Sequence, residues 1–179
     1  MTAFLLSVHV LAAILTIGPV AIAASMFPPA LRAAAHDPGN PRKTAAVAIL
    51  HRITRVYAVI GAIVPVFGVA TGASLGVLGD AWLITSMILT ASAAAVLIAV
   101  ILPTQRRGLE SLDRATDGAL DSALDAALDT APDRGEAVPG ADAATAAGRS
   151  LAMATGVFNL LWAIVVVLMI YRPGSTTGV

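Results

Sequence analysis

There is no cysteine among the 179 residues. Disulfides, thiolate nucleophiles, cysteine-anchored lipid and covalently attached haem are therefore excluded. Aromatic residues make up only 4% and charged residues 12% of the chain, against about 25% charge in a soluble domain. Aliphatic and small residues take their place, and 58% of the chain is hydrophobic. That balance excludes a water-soluble domain, a disordered chain and a nucleic-acid binder, which needs a basic surface.

Four long runs also lack any Asp, Glu, Lys or Arg: about 3–27, 56–78, 82–103 and 151–171. A helix crossing a hydrocarbon layer needs about 20 mostly apolar residues, and each run meets that length. None shows the strict alternation of a barrel strand. The expected fold class is all-α, a polytopic membrane protein whose four transmembrane helices form an up-down bundle. The whole chain, 1–179, forms a single membrane domain. No Lys or Arg precedes the first run, so the basic region of a cleavable signal peptide is missing and a retained first span is expected.

Basic residues set the orientation. Ten of the eleven Lys and Arg lie between runs one and two or between runs three and four; only Arg172 lies on the other side. The expected location is a bacterial plasma membrane, crossed four times, with both termini outside. Asn40-Pro41 reads as a helix cap followed by the first helical residue. The helix it starts is expected to follow the inner interface and enter the bilayer near Val56. Arg42, Lys43, Arg52 and Arg55 then form a basic inner-interface group. Pro28-Pro29 is expected to end or bend the first span, and Pro19 and Pro65 to kink spans one and two.

In lipid, small and weakly polar residues mark the packed side of a helix. On span one Thr2, His9, Ala12, Ala13, Thr16, Val20 and Ala23 share one side, and Phe4, Leu11, Ile14, Leu15 and Ile22 the other. Gly61, Pro65, Gly68, Gly72 and Gly76 form a small-residue ridge on span two, read as a helix-packing surface. Asn159 on span four is expected to hydrogen-bond across the bundle.

The segment 105–150 lies on the inner side. Asp113, Asp117, Asp121, Asp125, Asp129 and Asp133 recur every four residues, with Leu120, Leu124 and Leu128. This spacing predicts an acidic amphipathic cytoplasmic helix over about 108–130, weakened at Gly118 and ended by Pro132, then a Gly/Pro/Ala stretch to about Ala141. Five basic and nine acidic groups give 105–150 a charge of −4; five basic groups and Asp37 give 28–55 a charge of +4. Docking of the acidic helix under the bundle against Arg42–Arg55 follows from that opposition; a basic partner or a solvated loop are the alternatives.

Histidine is the only intramembrane residue type suited to conventional chemistry. His9 lies about 9 Å inside the outer boundary and His51 near the inner one, a separation of about 15–20 Å in depth. That is too great for one haem b held by both. His9 packed in the bundle and bonded to Ser86, Thr90 or Asn159 is the plain expectation; haem at His9 is the alternative. No span carries the carboxylate or lysine that ion-coupled transport uses. Phosphate-loop, zinc and nucleophile-elbow motifs are missing, and no metal site or catalytic residue is expected.

The opening Phe4-Leu-Leu-Ser-Val-His9-Val-Leu-Ala-Ala-Ile-Leu-Thr-Ile-Gly18-Pro19 resembles the first span of a bacterial family of predicted integral membrane proteins. That family is similar in outline to copper-resistance D type proteins and to bacterial membrane protoporphyrinogen oxidase. Thr16 stands where the pattern has tryptophan, and Gly18-Pro19 where it has a glycine pair. The resemblance implies a small helical bundle with haem or metal involvement, a role only His9 can inherit. The alanine-rich, lysine-poor composition resembles that of actinobacterial proteins. The expected function is non-enzymatic: an accessory or scaffolding subunit in the lipid bilayer, packed against other membrane proteins or itself. A haem- or metal-linked redox protein using His9, or an oligomeric permease for a small neutral solute, are the alternatives.

Overall fold

The computed structural model describes residues 2–37, 39–127 and 141–174. Among them there is helix and no strand. The elements are α1 (Thr2–Ala35), α2 (Pro41–Ile60), α3 (Ile63–Leu75), α4 (Ala81–Val96), a π-helical segment (Leu97–Ile101), α5 (Leu102–Ala127) and α6 (Ala141–Tyr171). Four helical stretches are long and apolar enough to cross a membrane. Outward-facing side chains such as Val59 (72% exposed) and Ile170 (71% exposed) are large and apolar, as a lipid-facing surface requires and a water-facing one avoids.

Named contacts fix the packing. His9 of α1 meets Val64 and Gly68 of α3, whereas Leu31 and Phe27 meet Gly108 of α5. Asn159 of α6 reaches Ser25 of α1, and Arg172 lies over Trp82 at the start of α4. Successive apolar stretches therefore run antiparallel, with Thr2, the α3–α4 turn and Tyr171 at one end. The expected inward side of α1 is buried or half-buried throughout; Phe4, Leu11, Ile14, Leu15 and Ile22 are 58–70% exposed. On α6, Gly148, Leu151, Thr155, Phe158 and Val165 form the buried stripe.

The prolines differ in effect. Pro28 and Pro29 do not end the first helix, which continues through Pro19 and both of them to Ala35; Pro28 is itself packed into the interior, beside Phe27 and Leu31. The second stretch breaks at Gly61–Ala62, one turn before Pro65. Pro65 has no N–H for the Gly61 carbonyl and its ring crowds that oxygen. The Gly61 carbonyl instead accepts from Val64 N–H (3.0 Å), and Ala62 N–H turns to the Val59 carbonyl (3.2 Å). The carbonyls of Ala58 and Ile60 thereby lose their usual helical donors.

Pro103 also lies inside continuous helix. One turn ahead of it the helix widens into the π segment, where Leu102 N–H closes on the Leu97 carbonyl. The wider turn accommodates the missing donor and the ring, so α4 passes without interruption into α5. The helix also continues through Gly118. The remainder of the expected acidic helix, the stop at Pro132 and the stretch before Ala141 lie outside the described residues.

Asn40 caps α2 as its sequence predicts, its side-chain oxygen accepting from Arg42 N–H (3.2 Å). Pro41 is the first helical residue. The helix stands antiparallel to the second half of α1, burying Val47 and Thr54 completely in a core shared with Phe27, Leu31, Ile101, Leu112 and Leu151.

Candidate functional site

His9 and Gly68 form one contact. His9 Nδ1–H donates to the Val64 backbone carbonyl at 2.9 Å, which leaves Nε2 without the proton in the neutral ring. A Cβ at position 68 would stand 2.9 Å from His9 Cε1, so the glycine makes room for the imidazole. The expected partners Ser86, Thr90 and Asn159 are not used. Ser86 donates to its own helix at Trp82 O (2.8 Å), and Asn159 Nδ2 donates across the bundle to Ser25 Oγ (3.3 Å).

The remaining glycines of the ridge divide by task. Gly72 allows close approach, since a Cβ there would lie 2.9 Å from Leu83 Cδ2. Gly76 is no packing residue but the left-handed cap of α3, with φ 71°. Val77 N–H returns to the Gly72 carbonyl beside it (3.1 Å), as in a Schellman turn. Gly61 belongs to the helix break, where the nearest atom to an added Cβ is the Tyr57 carbonyl of its own helix.

Beside that break, half-way along the bundle, is a cavity of about 200 Å³. Thr16, Tyr57, Gly61, Pro65, Thr90 and Trp162 are among the residues lining it. Thr16 satisfies its hydroxyl on the Ala12 carbonyl (2.6 Å). Trp162 packs edge-on to Phe158, centroids 6.3 Å apart, and its indole Nε1, sealed from solvent, has no acceptor.

A second polar centre lies toward the basic end. His51 Nδ1–H donates to Gln105 Oε1 (3.1 Å), and Gln105 Nε2–H donates to Thr54 Oγ1 (3.4 Å). Gln105 and Thr54 are wholly buried. Gln105 has no signal in the sequence taken alone, because the inward row Ile101, Gln105, Gly108 and Leu112 straddles the end of the charge-free run and the start of the charged segment. His51 lies thirteen residues from Val64, the partner of His9, or about 20 Å of helix rise. The two histidines thus serve separate contacts and do not fit a haem clamped between them. Among the described residues no group of His, Asp or Glu could hold a metal ion.

Charges gather at the same end. Nine of the ten described Lys and Arg lie there, with Arg172 alone opposite; Arg134 is outside the described residues. The first part of α5 packs there through Gln105, Gly108 and Leu112, all buried, and not through its carboxylates. Asp113 and Asp117 border a shallow groove with Pro41, Thr44 and Ala48. The ion pairs among described residues are Lys43–Asp37 (2.9 Å) and Arg106–Glu110 (3.0 Å), and neither joins α5 to α2. The hydrogen bond from Lys43, followed by that from Asn40, holds the Asp37 carboxyl below the usual carboxylate range. Arg52 and Arg55 remain exposed, and so does α5 over 117–124, with Leu120 68% and Leu124 57% exposed.

At the opposite end Trp82 Nε1–H donates to Asp80 Oδ2 (2.9 Å), and the Arg172 guanidinium stands 5.7 Å from the Trp82 ring centroid. This spacing is that of a cation–π contact. The fold is thus a helical bundle whose long helices match the thickness of a membrane. No family model, curated protein or solved structure matches the chain.

Proposed function

We propose that the protein is a multi-pass subunit of a bacterial plasma membrane that binds and positions other membrane proteins without an enzymatic activity of its own. The basic end faces the cytoplasm, both chain ends face outward, and α5 is the cytoplasmic attachment element. One observation carries this reading: the outer part of α5 holds Leu120 and Leu124 exposed, one turn apart, beside Asp117 and Asp121. Here the neighbouring carboxylates keep the helix out of lipid, so the apolar pair is not explained by contact with acyl chains. A helical segment this short gains little from propensity alone and is suited to an apolar groove rimmed by basic residues. The charge-free inward faces and the absence of an intramembrane carboxylate or lysine support a packing role over ion-coupled transport.

Extraction into native lipid particles tests the proposal. The wild-type protein is expected to leave the membrane with a stoichiometric partner or a second copy. Leu120→Asn/Leu124→Asn should weaken that association by more than about a hundredfold, since each buried leucine contributes about 1.5–3 kcal/mol. A wild-type protein that is monomeric and alone in every mild detergent and lipid particle contradicts it.

A further inference from the structure

The hydrogen bond from His51 to Gln105 (3.1 Å) fixes α2 against α5 and sets the next residues of the two helices, Arg52 and Arg106, at one depth. On α2, Ala45, Ala48, Arg52 and Arg55 recur at intervals of three and four residues and share one side. Ala45 and Ala48 line the groove that faces α5. On α5, Arg106 precedes Asp113 by seven residues, two helical turns, and Asp113 lines the same groove from its other wall. Arg52, Arg55 and Arg106 therefore gather at the end of that groove nearer the apolar part of the bundle.

Their charge is not balanced within the described chain. Arg52 and Arg55 are exposed and make no ion pair among the described residues. Arg106 bonds Glu110 through Nε (3.0 Å), yet its side chain is still 77% exposed. Asp113 and Asp117, the other carboxylates of the groove, lie about 10 Å or more beyond Arg106 along α5. Three arginines against one glutamate leave an excess of positive charge, and like charges gathered on one side repel until an anion joins them.

The neighbouring surface identifies that anion. Val59 follows Arg52 by seven residues and Ile98 precedes Gln105 by seven. The helices are antiparallel, so both stand about 10 Å toward the middle of the bundle. They are 72% and 64% exposed. An occupant that meets both levels has an anionic head and apolar chains. Guanidinium groups pair with phosphate oxygens in bidentate fashion. An acidic peptide would satisfy the arginines and leave Val59 and Ile98 uncovered.

We infer that Arg52, Arg55 and Arg106 form a binding site for the phosphodiester of an anionic phospholipid, with its acyl chains over Val59 and Ile98.

The full-length protein in detergent micelles, given equal amounts of dioleoylphosphatidylglycerol and dioleoylphosphatidylcholine, tests this by native mass spectrometry. One phosphatidylglycerol is expected to stay bound in preference to phosphatidylcholine. Arg52→Gln/Arg55→Gln should weaken its retention about thirtyfold and Arg106→Gln about fivefold, the factors for two basic residues and for one near an anionic lipid surface. Arg107→Gln/Arg114→Gln removes as much charge from another side of α5 and should leave retention unchanged. Excess inorganic phosphate should leave the lipid in place, because it offers no chains. Equal retention of the two lipids, equal loss in the two double variants, or displacement by inorganic phosphate overturns the inference.

Discussion

Phe27→Ala is expected to lower the stability of the bundle by about 3 kcal/mol. Phe27 is completely buried and stands where α1 meets α5, within reach of Gly108. It belongs to the same buried cluster as Val47 of α2 and Leu151 of α6, a core that draws on four helices. Truncating a buried phenylalanine costs about 3–5 kcal/mol in water-soluble proteins. The lower end applies here, because a Phe released toward lipid loses packing without gaining contact with water. Reversible unfolding in mixed micelles reads the change. Amide exchange should accelerate over 102–116, the docked part of α5, and much less over 81–96. A loss under 1 kcal/mol with unchanged exchange would show that α5 does not depend on this contact.

The second large effect is a coupling between His9 and Gly68. Gly68→Ala sets a methyl 2.9 Å from His9 Cε1 and pushes the ring from the Val64 carbonyl. Overpacking of about 1–3 kcal/mol then combines with a lost hydrogen bond of about 0.5–1.5 kcal/mol. In a His9→Ala background the same substitution meets no ring. It should be neutral or stabilising there, by up to about 1 kcal/mol, because alanine is the better helix former. The double-mutant cycle should thus show a coupling of about 2 kcal/mol or more. Additive effects would mean that the imidazole is elsewhere. His9→Asn is an informative companion variant: its shorter side chain frees the space at Gly68 while leaving the Val64 carbonyl without a well-placed donor.

Much of this was legible in the residues. The four apolar runs, the two sides of α1 and the Asn40-Pro41 helix start follow from composition, periodicity and capping chemistry, which are local properties. The His9 face was legible too, but not the partner, since a backbone carbonyl at Val64 has no sequence signature. Prolines were the weakest guide. Pro65 does break its helix, yet Pro28, Pro29 and Pro103 are absorbed, because packing against neighbouring helices or a π turn supplies what each proline removes. Reading span three to 103 and the acidic helix from about 108 as separate elements hid the inward row Ile101, Gln105, Gly108 and Leu112. Glycine spacing misled in a similar way. Gly68, Gly72 and Gly76 at intervals of four, continued by Gly61 and Pro65, suggested one ridge, whereas backbone demands assign Gly61 to a break and Gly76 to a cap. Opposite net charges of 28–55 and 105–150 suggested ion pairing, but α5 docks by shape and burial, leaving Arg52 and Arg55 exposed.

The native chain contains no cysteine, so single cysteines can report which side each end of the bundle faces. Gly79→Cys lies in the α3–α4 turn, where an added Cβ meets open space; Gly118→Cys lies on the exposed part of α5. Labelling of whole cells with a membrane-impermeant maleimide should modify Cys at 79 at once and Cys at 118 only after the membrane is permeabilised. Labelling of both in intact cells, or of 118 alone, would contradict a four-span bundle with its cations in the cytoplasm.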